Sequence, residues 1–264
     1  MTCLGSPAVE IVWSWAVPHL ERHLTADERA RYRRLRRQSD RDMFASGRAL
    51  LRDVAGTWMG VPWRDVVLRT TCARCGATDH GAPIVEQVAG AHPAPHVSLT
   101  HARGLVMVAA SDLGPLGVDC EPLDGALVAG FDDVALAPSE QAVLAGEEAR
   151  LAGPEVSDGD RSVLHEVRLR TWVRKESVLK ATGQGLATDP REVVLGRWSD
   201  PPQVVSAPGP VPAARWWVVD VDPVPGFLGA VASAAPGIGR ARLDVREVAL
   251  DRTDVTGATA TDHA

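Results

Sequence analysis

The only two lysines of this 264-residue chain, Lys175 and Lys180, fall in one stretch, WVRKESVLKATGQGL, positions 172–186. Everywhere else positive charge is made with arginine. An ammonium is a compact point charge on a flexible stem, whereas a guanidinium is a rigid fork, so a chain that keeps both lysines together points to a phosphate or carboxylate partner. In a helix, Trp172, Glu176 and Lys180 recur at four-residue spacing and share one face. The same spacing also describes an ordinary solvated helix with a Glu-to-Lys pair worth a few tenths of a kcal/mol. The stretch alone does not choose between them.

A second candidate is GVDCEPLD, in which Asp119 and Glu121 flank Cys120. Alternate side chains of a strand share a face, so the two carboxylates point one way and Cys120 the other. Adjacent carboxylates repel unless a cation lies between them, and oxygen-only ligation suits Mg²⁺ or Mn²⁺. The plain alternative is a polar strand edge facing water. Thr100 and His101 end a strand-like segment, where the histidine is either structural or a donor to a phosphate oxygen. Cys72-Ala-Arg-Cys75 with His80 is half of a zinc-site pattern, and a reduced or redox-labile loop pair fits it equally. Arg41 and Arg48, seven residues apart, share one side of a helix that could grip an anion. The arginine run 29–37 reads as a solvated face.

These residues must be positioned by regular elements. Residues 9–17 alternate as a first strand. Thr25 is an N-cap for a helix rich in arginine, and Ser39-Asp40 restarts a second helix with Met43, Leu50, Leu51 and Val54 as its buried stripe. Strands follow near 66–69, 95–101, 104–111 and 116–121. A helix spans 138–151, a Gly/Asp-rich loop 153–160, and a long helix about 162–182, closed by Gly183 and Gly185. Strands near 192–198, 215–221 and 227–234 complete the order, with a proline-rich loop at 201–212. The fold class is α+β. An N-terminal half, 1–115, and a C-terminal half, 116–240, show a similar order of elements. Residues 241–264 read as a largely disordered tail.

Composition narrows the classes. Hydrophobic content of 45% and charged content of 23% are those of a soluble globular protein. A net charge of −6 argues against general nucleic-acid binding. No apolar run reaches the length of a membrane span. The start lacks the pattern of a signal peptide, and four cysteines are too few for a disulfide scaffold, so a reducing cytoplasm is the expected location.

Together, SLTH (98–101), GVDCE (117–121) and WVRKESVLKATGQGL (172–186) resemble the 4′-phosphopantetheinyl transferase superfamily, most closely its larger, Sfp-type branch. The pattern is G-[VI]-D-x-E followed by W-x-x-K-E-x-x-x-K-x-x-G-x-G, and every fixed position of the second motif is matched. The resemblance covers most of residues 10–235. It implies a monomer of two similar halves related by a pseudo-two-fold axis. It also implies transfer of 4′-phosphopantetheine from coenzyme A to a serine of an apo acyl or peptidyl carrier protein, releasing adenosine 3′,5′-bisphosphate. On this resemblance Asp119, Glu121 and Glu176 are the Mg²⁺ ligands, and Glu176 is also the favoured base for the carrier serine. Lys180 contacts the pyrophosphate and assists the leaving group, with Lys175 near it. Thr100 and His101 match residues on the ribose 3′-phosphate, and Arg41 and Arg48 match basic residues that grip coenzyme A phosphates. Cys120 replaces the usual aliphatic of the acidic motif. Ala82 replaces a basic residue common between Gly81 and Pro83, a change that either weakens coenzyme A affinity or shifts the work to an arginine such as Arg74. The competing reading is a non-catalytic coenzyme A or carrier-protein binding module.

Overall fold

The computed structural model describes residues 8–72, 75–78, 81–151, 158–184 and 188–250. Strand β1 (Ala8–Trp15) is followed by helix α1 (Ala26–Arg34) and helix α2 (Gln38–Met59). Thr25 caps α1 as expected. Its side chain accepts from the Glu28 N–H while Glu28 accepts from the Thr25 N–H, a reciprocal capping box that satisfies two orphan donors. Helix α2 starts at Gln38 and ends at Gly60, which takes the left-handed conformation (φ 70°) that stops a helix cleanly. Hairpin β2 (Leu68–Thr71) and β3 (Ala82–Val85) precedes β4 (His96–Ala102) and β5 (Leu105–Ser111).

Strand β6 (Leu116–Pro122) opens the second half, followed by the short helix α3 (Phe131–Ala135), α4 (Pro138–Leu151) and α5 (Asp158–Ala181). Hairpin β7 (Val194–Leu195) and β8 (Val204–Ser206) comes next, then β9 (Trp217–Asp220), β10 (Phe227–Ser233) and β11 (Arg242–Glu247). One sheet has the order β11-β1-β5-β4 and another the order β6-β10-β9. The connectivity therefore repeats. In each half a strand leads to a long helix, then a small hairpin, then two strands, and the last of these pairs antiparallel between the other two.

Alternation along the strands builds the layers. Val9, Ile11 and Trp13 of β1 and Leu105, Met107 and Ala109 of β5 meet Leu116, Val118 and Cys120 of β6 in one core between the sheets. The opposite faces carry Val12, Val106, Val108 and Ala110, which bury Leu50, Leu51 and Val54 of α2, with Met43 packed at the margin. Helix α5 covers the second sheet through Leu169 and Val173 against Leu228 and Ala230, and through Val178 and Leu179 against Val218 and Ala232. Each such side chain taken fully out of water contributes roughly 1.5–3 kcal/mol.

Several expectations need correction. Within the stretch 241–264, expected to be a largely disordered tail, 242–247 make β11, parallel to β1 with Ala8 opposite Arg242. Arg246 pairs with Glu10, and the Val248 N–H donates to the Trp13 carbonyl. No local signal marks this strand, since its partner lies at the other end of the chain and its side chains are mostly exposed. The expected strand over 192–198 contracts to Val194–Leu195, and the proline-rich loop contains its partner β8. Helix α5 begins at Asp158, inside the expected loop. Arg74, His80, Gly185 and residues 251–264 lie outside the described residues.

Candidate active site

Strand β6 sets the site. Gly117 lies so close to α5 that a Cβ there would be 2.0 Å from the Ser177 carbonyl oxygen and 2.5 Å from the Ala181 nitrogen. Only glycine lets strand and helix approach this closely, and the approach brings the α5 side chains onto the outward face of β6. Cys120 points into the core between the sheets, and burial pushes its thiol up to about 12, so it is a small inert hydrophobe.

Asp119 is 5% exposed. Its Oδ1 accepts from Thr100 Oγ1 at 2.9 Å and from Lys180 Nζ at 2.8 Å, while Oδ2 is buried without a partner. Lys180 also donates to the Val118 carbonyl at 3.0 Å. Glu176, 7% exposed, has an equally orphaned Oε1. Burial, reinforced by the Asp119 carboxyl, raises Glu176 to about 7 and Glu121 to about 7; Lys180 opposes the rise in both, and a hydrogen bond from Trp172 opposes it in Glu121. Lys180 thus pairs directly with Asp119 and acts on Glu121 and Glu176 through its charge, so one ammonium opposes three mutually repelling carboxyl groups. Such repulsion is costly unless further positive charge enters.

The expected face of the long helix is therefore real: Trp172, Glu176 and Lys180 all interact with the β6 carboxyls. Lys175 is not brought to this cluster. It is fully buried, with Nζ 2.5 Å from Glu140 Oε2, 2.8 Å from the Ala135 carbonyl and 3.3 Å from the Pro190 carbonyl. An ammonium has three donors, and all three are engaged away from the acidic cluster. The compact charge that set this lysine apart in the sequence ties α5 to α4 and to the segment after α5.

Thr100 and His101 sit on opposite faces of β4: Thr100 is buried against β6, and His101 is exposed on the side where Val97 and Leu99 meet α2. The single hydroxyl hydrogen of Thr100 is given to Asp119. Arg48 and Arg52 of α2 share Glu28, Arg48 at 3.6 Å and Arg52 at 2.9 Å, and burial pulls Arg48 down from its usual value. Arg48 also stacks over Phe44, while Arg41 lies over Tyr32 and donates to the Leu35 carbonyl. Arg41 and Arg48 are thus held by neighbours on and next to α2, apart from the acidic cluster. The sequence reading missed Arg52, although its i, i+4 spacing from Arg48 was a usable signal.

An open cleft of about 870 Å³ is lined by Pro122, which follows Glu121 in the chain, and by Leu123, Arg103, Ser162, His165 and Phe227. Among the described residues no three acidic, histidine or cysteine side chains converge as a preformed metal cage. A hard cation such as Mg²⁺ rarely needs one, because it keeps waters and takes one or two carboxylates together with substrate phosphates. The orphaned oxygens of Asp119 and Glu176 and the oxygen-only donor set fit such a shared site.

The architecture is that of a mixed α+β protein with a cluster of buried carboxyls where a strand of one sheet meets a long helix. Residues 115–232, spanning β6 to β10 and every carboxyl of that cluster, match the family model of the 4′-phosphopantetheinyl transferase superfamily. The resemblance read from the motifs holds at the level of that superfamily, whose members are transferases of phosphopantetheine. No curated protein matches the chain. Among the described residues no helix is long and apolar enough to cross a membrane.

Proposed function

We propose that this protein is an Sfp-type enzyme that moves 4′-phosphopantetheine from coenzyme A to a serine of an apo acyl or peptidyl carrier protein, with Mg²⁺ held by Asp119, Glu121 and Glu176. The observation that carries the proposal is the pair of buried, unpartnered carboxylate oxygens on Asp119 and Glu176 beside a single lysine. When bound, the cation neutralises charge on the coenzyme A pyrophosphate. The serine oxygen forms a bond to the phosphorus that carries pantetheine, and the bond to the bridging oxygen breaks, releasing adenosine 3′,5′-bisphosphate. Glu176 receives the serine proton, directly or through a water molecule. Lys180, exposed over about a quarter of its side chain (26%), faces the developing charge on the leaving phosphate. His101 faces the ribose 3′-phosphate, and Arg41 and Arg48 grip coenzyme A phosphates from the α2 side.

Coenzyme A lies in the cleft between the halves of a monomer in this reading, the halves being residues 1–115 joined by β11 and residues 116–240. The repeated connectivity supports a pseudo-two-fold relation between them. The test is mass spectrometry of a panel of apo carriers incubated with coenzyme A and Mg²⁺. Gain of one phosphopantetheine group on the carrier serine is expected. Coenzyme A binding without any mass gain across the panel would favour the binding-module reading.

A further inference from the structure

Strands β4 and β6 belong to different sheets and share no backbone ladder, yet two inward side chains of β4 reach across the gap. The buried Ser98 Oγ accepts from the Val118 N–H at 3.1 Å, and the buried Thr100 Oγ1 donates to Asp119 Oδ1 at 2.9 Å. The joint between the halves thus runs through the acidic motif itself. Resting on the cation reading above, we propose that Thr100 is a positioning residue. It fixes the Asp119 carboxylate so that Oδ2 is aimed at the cation, and it does not bind a coenzyme A phosphate.

Thr100 has one hydroxyl hydrogen, and Asp119 takes it. What remains on that oxygen are lone pairs, which repel a phosphate. Lys180 donates to the same Oδ1 at 2.8 Å and is itself anchored on the Val118 carbonyl. With both donors on one oxygen, the carboxylate plane is set and Oδ2 stays unpartnered. Without the Thr100 hydrogen bond, the carboxylate is free to turn about its last torsion and present Oδ2 instead of Oδ1 to the Lys180 ammonium, which withdraws Oδ2 from the site. Hydrogen bonds of this kind, one layer behind a ligand, decide its orientation.

The experiment compares the native protein with Thr100→Val, which keeps the shape and removes the hydroxyl, and Thr100→Ser, which keeps the hydroxyl. Mn²⁺ is titrated into coenzyme A-saturated protein in the absence of any carrier, and free Mn²⁺ is followed by paramagnetic resonance. Thr100→Val should weaken Mn²⁺ binding by about 10–100-fold, and Thr100→Ser should return it close to the native value. With coenzyme A and 3′-dephospho-coenzyme A as alternative donors, the ratio of the two KM values should be the same in Thr100→Val and in the native protein. Native Mn²⁺ affinity in Thr100→Val would overturn the proposal. So would a KM increase confined to the donor that carries the 3′-phosphate, because that would return Thr100 to phosphate binding. If Thr100→Val fails to fold, Thr100→Ala against Thr100→Ser makes the same comparison. A native protein that binds no Mn²⁺ at all would overturn the cation reading as well, and the native titration alone reveals it.

Discussion

Replacing Lys175 with methionine tests whether this lysine serves structure or substrate. The ammonium is fully buried and bonded to Glu140, the Ala135 carbonyl and the Pro190 carbonyl. Methionine fills most of the volume but leaves the Glu140 carboxylate, whose side chain is 10% exposed, without its cation. Breaking a buried pair from one side costs about 3–5 kcal/mol, because the remaining charge is neither hydrated nor paired. At about 2–4 °C per kcal/mol for a protein of this size, the melting midpoint should fall by roughly 6–20 °C. Glu140 also accepts from the Leu195 and Ala137 N–H groups, so Glu140→Gln keeps an acceptor for one of them and removes the charge. The double variant K175M/E140Q should therefore be more stable than K175M alone, with a coupling of about 1 kcal/mol or more. Calorimetry gives the melting shifts, and denaturant titration gives the cycle. Coenzyme A affinity, measured well below the melting transition, should be unchanged in K175M. A K175M protein with native stability and weakened coenzyme A binding would refute this account and return Lys175 to the phosphates.

Two further outcomes are expected. Gly117→Ala should destabilise by more than about 3 kcal/mol in denaturant titration or prevent folding, since its Cβ would lie 2.0 Å from the Ser177 carbonyl oxygen and neither backbone can yield cheaply; near-native stability would mean that β6 and α5 are not so tightly apposed. In chelator, stability should fall as pH rises from about 4.5 to about 7. The folded protein keeps protons on Glu121 and Glu176, each raised to about 7, that the unfolded chain releases near 4.5, so the unfolded state binds fewer protons across that window. For the buried Glu176 the ceiling is about 3 kcal/mol. Saturating Mg²⁺ should stabilise the protein more at pH 8 than at pH 5.5 in melting curves, and a flat profile in both conditions would remove the crowded-carboxylate picture.

Most local elements, and the residues that gather in the acidic cluster, were legible from spacing along the chain. Period-two alternation put Cys120 opposite Asp119 and Glu121, and four-residue spacing put Trp172, Glu176 and Lys180 on one helix face, because both patterns follow from backbone geometry within a single element. The Thr25 cap and helix 138–151 were legible for the same reason. What the tertiary structure decided were the partners. Lys175 and Lys180 look alike in sequence, yet the 100° turn per residue of a helix sends one towards Glu140 and the other towards Asp119, and only packing says which neighbour waits on each side. Thr100 and His101 are adjacent in the chain but face opposite sides of β4, so one holds Asp119 while the other faces outward. Strand β11 was illegible because its pairing with β1 joins the two ends of the chain, and its exposed, charged side chains carry no burial signal of their own. Contacts between distant segments depend on the assembled layers, and no local spacing encodes them.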